Sequence, residues 1–235
     1  MRDALIFLNI TMNSIPRLDH LNTGMANIAD AVYRTPILFS HTLSDIVGQP
    51  VILKFENLQK TGSFKVRGAL NSIVNLDDNT RKRGVITTSA GNHAQAVAWA
   101  ANRAGISATV VMPAHASESK IRASEKHGAK VILQDTVFDA FDLSLELAKK
   151  HELTFIHPFD DPITIAGQGT VGIEIVEDLP NVENVIVPIG GGGLISGVAL
   201  AIANLAPSAR VFGVEPYGAS AMRQSLDKGK AIHLN

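Results

Sequence analysis

The chain has 235 residues, 46% of them hydrophobic and 18% charged, with a net charge of −1. That length supports a substantial core in one or two domains, and the balanced charge offers no global field to recruit nucleic acid or an anionic membrane. There is no cysteine, which excludes disulfides, cysteine–zinc sites and thiol chemistry and fits a reducing cytoplasm. The apolar run at residues 5–10 is too short to span a membrane and no small-residue cleavage signal follows it, so the chain reads as soluble.

Leu18, Leu21 and the run from Met25 to Val32 suggest one or two helices that end before Pro36, which disfavours helix at Thr35. Residues 51–55 read as a compact strand. Residues 63–76 read as a helix with a partial apolar stripe of Phe64, Ala69, Leu70, Ile73 and Val74. From residue 84 strands and helices alternate. Strands are predicted over 84–88, 108–112, 130–133 and 154–156, and helices over 92–103, 117–127 and 137–150. Parallel strands with helical crossovers are the simplest topology for such a pattern. Residues 157–162 break it and read as a crossing between lobes. A helix over 165–177 follows, despite its glycines, then a strand over 184–187, a helix over 194–205, a strand over 210–214 and a last helix near 219–226.

Three stretches carry chemistry. In the first, Ser63 is a good N-cap, which puts Lys65 at about the second helical position. An ammonium is disfavoured at the positive end of a helix. A desolvated lysine there has a lowered pKa, and its neutral amine can form a Schiff base with a carbonyl. The simpler alternative is a Lys65–Arg67 pair on a solvated helix face. In the second stretch, Gly190, Gly191, Gly192 and Gly193 lie between a strand and a helix that starts at Leu194. Backbone N–H groups can close on a phosphate there, with the helix dipole behind them. No P-loop lysine follows. A dinucleotide fingerprint is nearer, because Gly191, Gly193 and Ser196 have its spacing and Glu215 ends the next strand. In the third stretch, Ser89, Ala90, Gly91, Asn92 and His93 form another strand-to-helix turn. The N–H groups of Ser89 and Gly91 can face an anion there and Asn92 can donate to an oxygen. The simpler alternative is an N-cap beside a core histidine. The other histidines lack metal-ligand spacing, and Asp160–Asp161 before a proline reads as a turn cap. Pyridoxal 5′-phosphate accounts for all three stretches, with an aldehyde for Lys65, a phosphate for the glycines and a ring hydroxyl for Asn92. NAD accounts for the glycines alone.

At these residues the sequence resembles the fold-type II pyridoxal-phosphate enzymes, in their threonine/serine dehydratase branch. The segment 54–69 around Lys65 resembles the family's Schiff-base segment, 89–95 its substrate and ring-binding loop, and 188–194 its phosphate cup; 166–170 also matches the branch. The resemblance runs from about residue 15 to the end. It implies a two-lobed α/β architecture of open, mostly parallel sheets flanked by helices. The smaller lobe would cover 84–160 and an incomplete larger lobe 1–83 plus 161–235, with the site between them. It implies pyridoxal phosphate on Lys65, with Phe64, Asn92, Gly190, Gly191, Gly192, Gly193 and Leu194 as cofactor contacts. Ser89, Ala90, Gly91, Asn92 and His93 would frame an amino-acid carboxylate. The implied reaction is α,β-elimination from threonine or serine, with Lys65 taking the α-proton, in a homo-oligomer. Two departures stand out. Racemases of this family have a serine at Ala90, and alanine cannot transfer a proton, which favours dehydration. Their divalent-metal site needs carboxylates soon after Glu215, and residues 219–221 offer none, so no metal is expected. Family members also continue well past Asn235, which predicts a truncated chain with weak cofactor retention and poor or absent turnover, with a catalytically dead fragment as an alternative reading.

Overall fold

The computed structural model describes residues 15–232, so the apolar run at 5–10 lies outside the described residues. The first helix, α1 (Leu18–Ile28), buries Leu21 and Ile28. A short antiparallel pair follows, β1 (Ile37–Phe39) and β2 (Ile52–Lys54), with α2 (His41–Val47) between its strands. Ser40 caps α2 by accepting from the Leu43 N–H, and Gly48 ends it at φ 72°. Two 3₁₀ turns lead to α3 (Lys65–Val74). Val66, Ala69, Leu70 and Ile73 are at most 2% exposed. At about 1.5–3 kcal/mol for each large aliphatic side chain, this stripe anchors the helix.

After α4 (Asp78–Arg83) come β3 (Val85–Thr88), α5 (Asn92–Arg103), β4 (Ala108–Pro113), α6 (Glu118–Lys126), β5 (Lys130–Gln134), α7 (Val137–His151) and β6 (Thr154–Phe155). The four strands form one parallel sheet in the order β5–β4–β3–β6. Val85 pairs with both Ala108 and Thr154. The α3 stripe shares a single apolar cluster with β3, β4 and α5, so the helix that carries Lys65 is seated on the sheet that carries the 89–95 turn.

The chain then enters α8 (Pro162–Asp178), which Asp161 caps by accepting from the Thr164 N–H at 2.7 Å. A second parallel unit follows, β7 (Asn184–Pro188), α9 (Gly193–Leu205) and β8 (Arg210–Val214), before α10 (Ala221–Lys228). The glycines of α8 and α9 let backbones meet. A Cβ on Gly167 would lie 2.6 Å from the Arg67 carbonyl oxygen, and one on Gly197 would lie 2.5 Å from the Gly169 nitrogen. Glycine's entropic penalty in a helix is offset here by close α3–α8–α9 contact. Val185 and Val187 on β7 pack against α9, while Ile186, Phe212 and Val214 remain exposed. No described helix is long and apolar enough to cross a membrane.

Candidate active site

Thr61 (φ 58°) and Gly62 (φ 74°) turn the chain through two left-handed residues into α3, a conformation that costs a β-branched threonine of order 1 kcal/mol or more. Ser63 is extended and Phe64 already helical, so Ser63 stands where the sequence puts the cap. The expected capping bond is absent, because the buried Ser63 Oγ has no hydrogen-bond partner. Lys65 is the first residue of α3. Its Nζ donates to the Pro158 carbonyl at 2.6 Å and lies 5.4 Å from the centre of the Phe64 ring. Burial pushes its pKa from 10.5 down to about 8. Arg67 is not on a solvated face: it is 0% exposed. It donates to Glu56 at 2.7 and 2.9 Å and to Glu174 at 2.6 and 3.0 Å. Lys54 Nζ adds a 2.5 Å contact to Glu174, which balances two cations against two carboxylates. The network ties the helix of Lys65 to α8 and to the 3₁₀ turn at Glu56–Leu58.

Residues 156–159 join the three motif stretches. The Ile156 carbonyl accepts from Thr87 Oγ1 at 2.8 Å and faces His93 Nε2 at 3.1 Å. A carbonyl only accepts, so Nε2 carries the proton, and the buried Nδ1 is a bare acceptor with no partner. Burial, reinforced by the nearby Lys65 charge, lowers the His93 pKa to about 3 and keeps the ring neutral. Pro158 receives Lys65. Phe159 lies under the glycine turn: a Cβ on Gly191 would come within 2.2 Å of its ring, and one on Gly193 within 2.7 Å of its carbonyl oxygen. The His157 ring nitrogen accepts from the Phe159 and Asp160 N–H groups at 3.3 and 2.7 Å, which fixes the local turn.

The 89–95 turn differs in one respect from its sequence reading. The Ser89 N–H donates to Val111 and the Gly91 N–H to Ser89 Oγ, so neither faces an anion. Donors left in the turn include the Ser89 hydroxyl proton, Asn92 Nδ2 and the opening N–H groups of α5, since the first turn of a helix leaves its N–H groups unpaired. Ala90 is partly buried. Asn92 is exposed, and its Oδ1 accepts from Lys120 Nζ at 2.6 Å.

In the glycine turn, Gly192 adopts φ 89° and is the N-cap residue of α9. The N–H groups of Gly190 to Gly193 meet no acceptor among the described residues, and they sit at the positive end of a thirteen-residue helix. Gly190 differs from its neighbours. A Cβ there would meet nothing within 4 Å and its φ is not left-handed, so neither packing nor backbone geometry requires glycine. Leu194 packs with Phe64 against the β7–α9 cluster. Glu215 is unavailable as a ribose acid, because its carboxylate accepts from the Met222 and Arg223 N–H groups, each at 2.9 Å. Among the described residues no group of three or more His, Cys, Asp or Glu could hold a metal ion.

The model of the family described as pyridoxal-phosphate dependent enzyme matches residues 28–235. The chain belongs to this family. It is 50% identical over 215 residues to an L-threonine ammonia-lyase of Thermotoga maritima, covering 91% of this chain and 54% of that protein. It is 45% identical to a catabolic L-threonine dehydratase of Staphylococcus aureus, covering 91% of this chain and 62% of the relative. The maize serine racemase structure superposes with a TM-score of 0.90 at 42% identity, over 93% of this chain and 67% of that one. The chain thus spans roughly half to three-fifths of the length of these curated relatives.

A pyridoxal-phosphate family member needs an amine for the aldehyde, donors for the phosphate and a donor for the ring oxygen. Lys65 could supply the first, the unpaired N–H groups of the glycine turn the second and Asn92 Nδ2 the third. Gly190, which no contact among the described residues forces to be glycine, would leave clearance for a bound phosphate. The residues fit the cofactor. Sequence reasoning missed three participants. Pro158 and Phe159 act through a backbone carbonyl and a packed ring, which leave no motif. Lys120 comes from a helix 28 residues beyond Asn92, and only the α5–α6 packing brings the two together.

Proposed function

We propose that the protein is a pyridoxal-phosphate-dependent ammonia-lyase that converts L-threonine to 2-oxobutanoate and ammonia, and L-serine to pyruvate and ammonia. The observation that carries this reading is the convergence of Lys65, the glycine turn and the α5 turn on residues 156–159. We assign Lys65 as the residue that holds the cofactor aldehyde and takes the substrate α-proton. A pKa of about 8 lets one amine accept and release a proton near neutrality. When bound, the cofactor supplies an electron sink for the α-carbon. Gly190, Gly191, Gly192, Gly193 and Leu194 hold its phosphate through backbone N–H groups, Phe64 packs beside it and Asn92 donates to its ring oxygen. Ser89, Ala90, Gly91, Asn92 and His93 frame the substrate carboxylate. His93 does so with its backbone, since its neutral ring is turned to Ile156. We assign 84–160 as the smaller lobe, with the remainder forming the larger.

The similarity to serine racemase favours a second reading, racemisation. Ala90 argues against it, because a methyl group cannot carry a proton on the opposite face of the substrate. NAD binding has less support, with both Glu215 oxygens committed to α10. The test is an absorption spectrum of the protein with pyridoxal phosphate, followed by addition of L-threonine. The expected result is a visible band of lysine-linked cofactor that disappears in Lys65→Ala, with 2-oxobutanoate formed on adding threonine. A band without product keeps the cofactor assignment and refutes turnover by this chain, which spans 54% of the Thermotoga maritima relative. Inverted serine in place of pyruvate supports the racemase, and no band refutes the cofactor assignment.

A further inference from the structure

Asn92 is the opening residue of α5, and among the described residues the single hydrogen bond of its side chain runs from Lys120 Nζ to Oδ1 at 2.6 Å. The chemistry of the two groups makes that bond directional. An ammonium donates only, whereas a carboxamide offers an acceptor at Oδ1 and donors at Nδ2. Lys120 therefore fixes which end of the amide is which. Oδ1 is turned toward α6 and Nδ2 away from it, with no acceptor among the described residues. An exposed asparagine without such a partner can rotate its amide by half a turn and present oxygen in place of N–H. Toward an anionic ring oxygen that rotation replaces attraction by repulsion. Lys120 also polarises the amide, since a donor bonded at the carbonyl oxygen strengthens the N–H at the other end.

We propose that Lys120 is a positioning residue that locks the Asn92 amide with its Nδ2–H donor facing the cofactor's ring oxygen. The inference rests on the assignment of Asn92 to that oxygen. Lys120 reaches the site through Asn92, from a helix that contributes no other site residue.

The test is a double-mutant cycle read by cofactor affinity. Pyridoxal phosphate is titrated, following its visible band, into the parent protein, Lys120→Met, Asn92→Ala and the double variant. Lys120→Arg, which keeps a donor, serves as the rescue. Thermal melts of the cofactor-free proteins check that each one folds. Lys120→Met is expected to weaken binding by roughly three- to tenfold, the scale of one hydrogen bond. The double variant is expected to bind no worse than Asn92→Ala alone, because Lys120 has nothing to orient once the amide is gone. Lys120→Arg is expected to recover most of the loss. Losses that multiply in the double variant, or no loss in Lys120→Met, overturn the proposal while leaving the cofactor reading intact. Absence of the band in the parent protein overturns both.

Discussion

Lys65 is held in a position that penalises its charge, and this makes folding stability depend on pH in a calculable way. Its pKa falls from 10.5 in the unfolded chain to about 8 in the folded protein. Between those values the unfolded state binds more protons than the folded one, so stability rises with pH across that window. At pH 7 the ammonium is charged in both states and the full penalty of about 3 kcal/mol is present, at about 1.4 kcal/mol per pH unit. By pH 10 about 2.5 kcal/mol of it is recovered. Lys65→Met keeps the side-chain length and removes the titration. Urea unfolding of the cofactor-free parent and variant at pH 7, 8, 9 and 10 should show the parent gaining on the variant by that amount, most steeply above pH 8. The other lysines and the arginines cancel in the difference. A parent-minus-variant difference that stays flat with pH would refute the claim that Lys65 is desolvated, and with it the physical basis for its nucleophilicity.

The glycine turn separates packing from binding. Gly193→Ala, which drives a methyl to 2.7 Å from the Phe159 carbonyl oxygen, should cost about 1–3 kcal/mol in thermal or urea unfolding. Gly190→Ala, with open space around it, should leave stability within about 0.5 kcal/mol yet weaken cofactor retention in a spectral titration. Arg67→Met should destabilise by about 3–5 kcal/mol in urea unfolding, because Glu56 and Glu174 are left facing each other across the site that Arg67 neutralised. Asp161→Ala removes the α8 cap at Thr164 and should cost about 1 kcal/mol in the same assay.

The alternating β3-to-α7 unit was legible because its periods are clean: Ala108–Pro113 is an apolar run closed by proline, and the apolar positions of α7 repeat at helical spacing. β1, α2 and α4 went unread although their caps are in the sequence. Ser40 with Gly48, and Asp77 with Gly84, bracket helices of seven and six residues, too short for apolar periodicity to register. The glycines at 167, 169 and 172 looked like helix weaknesses and are instead contact points, which depends on neighbours that no local pattern names. The amino-acid sequence by itself determined the chemistry available: an amine at a helix start, a phosphate-sized run of bare backbone and an amide at a second turn. Each is local and depends on a few adjacent residues. The tertiary structure alone decided how those groups are set. It buried Lys65 against Pro158, spent the N–H groups of Ser89 and Gly91 inside the protein, neutralised His93, committed Glu215 to α10 and brought Lys120 to Asn92. Burial and hydrogen-bond geometry are properties of packed neighbours distant in the chain, and they convert a list of suitable residues into a site with defined charge states.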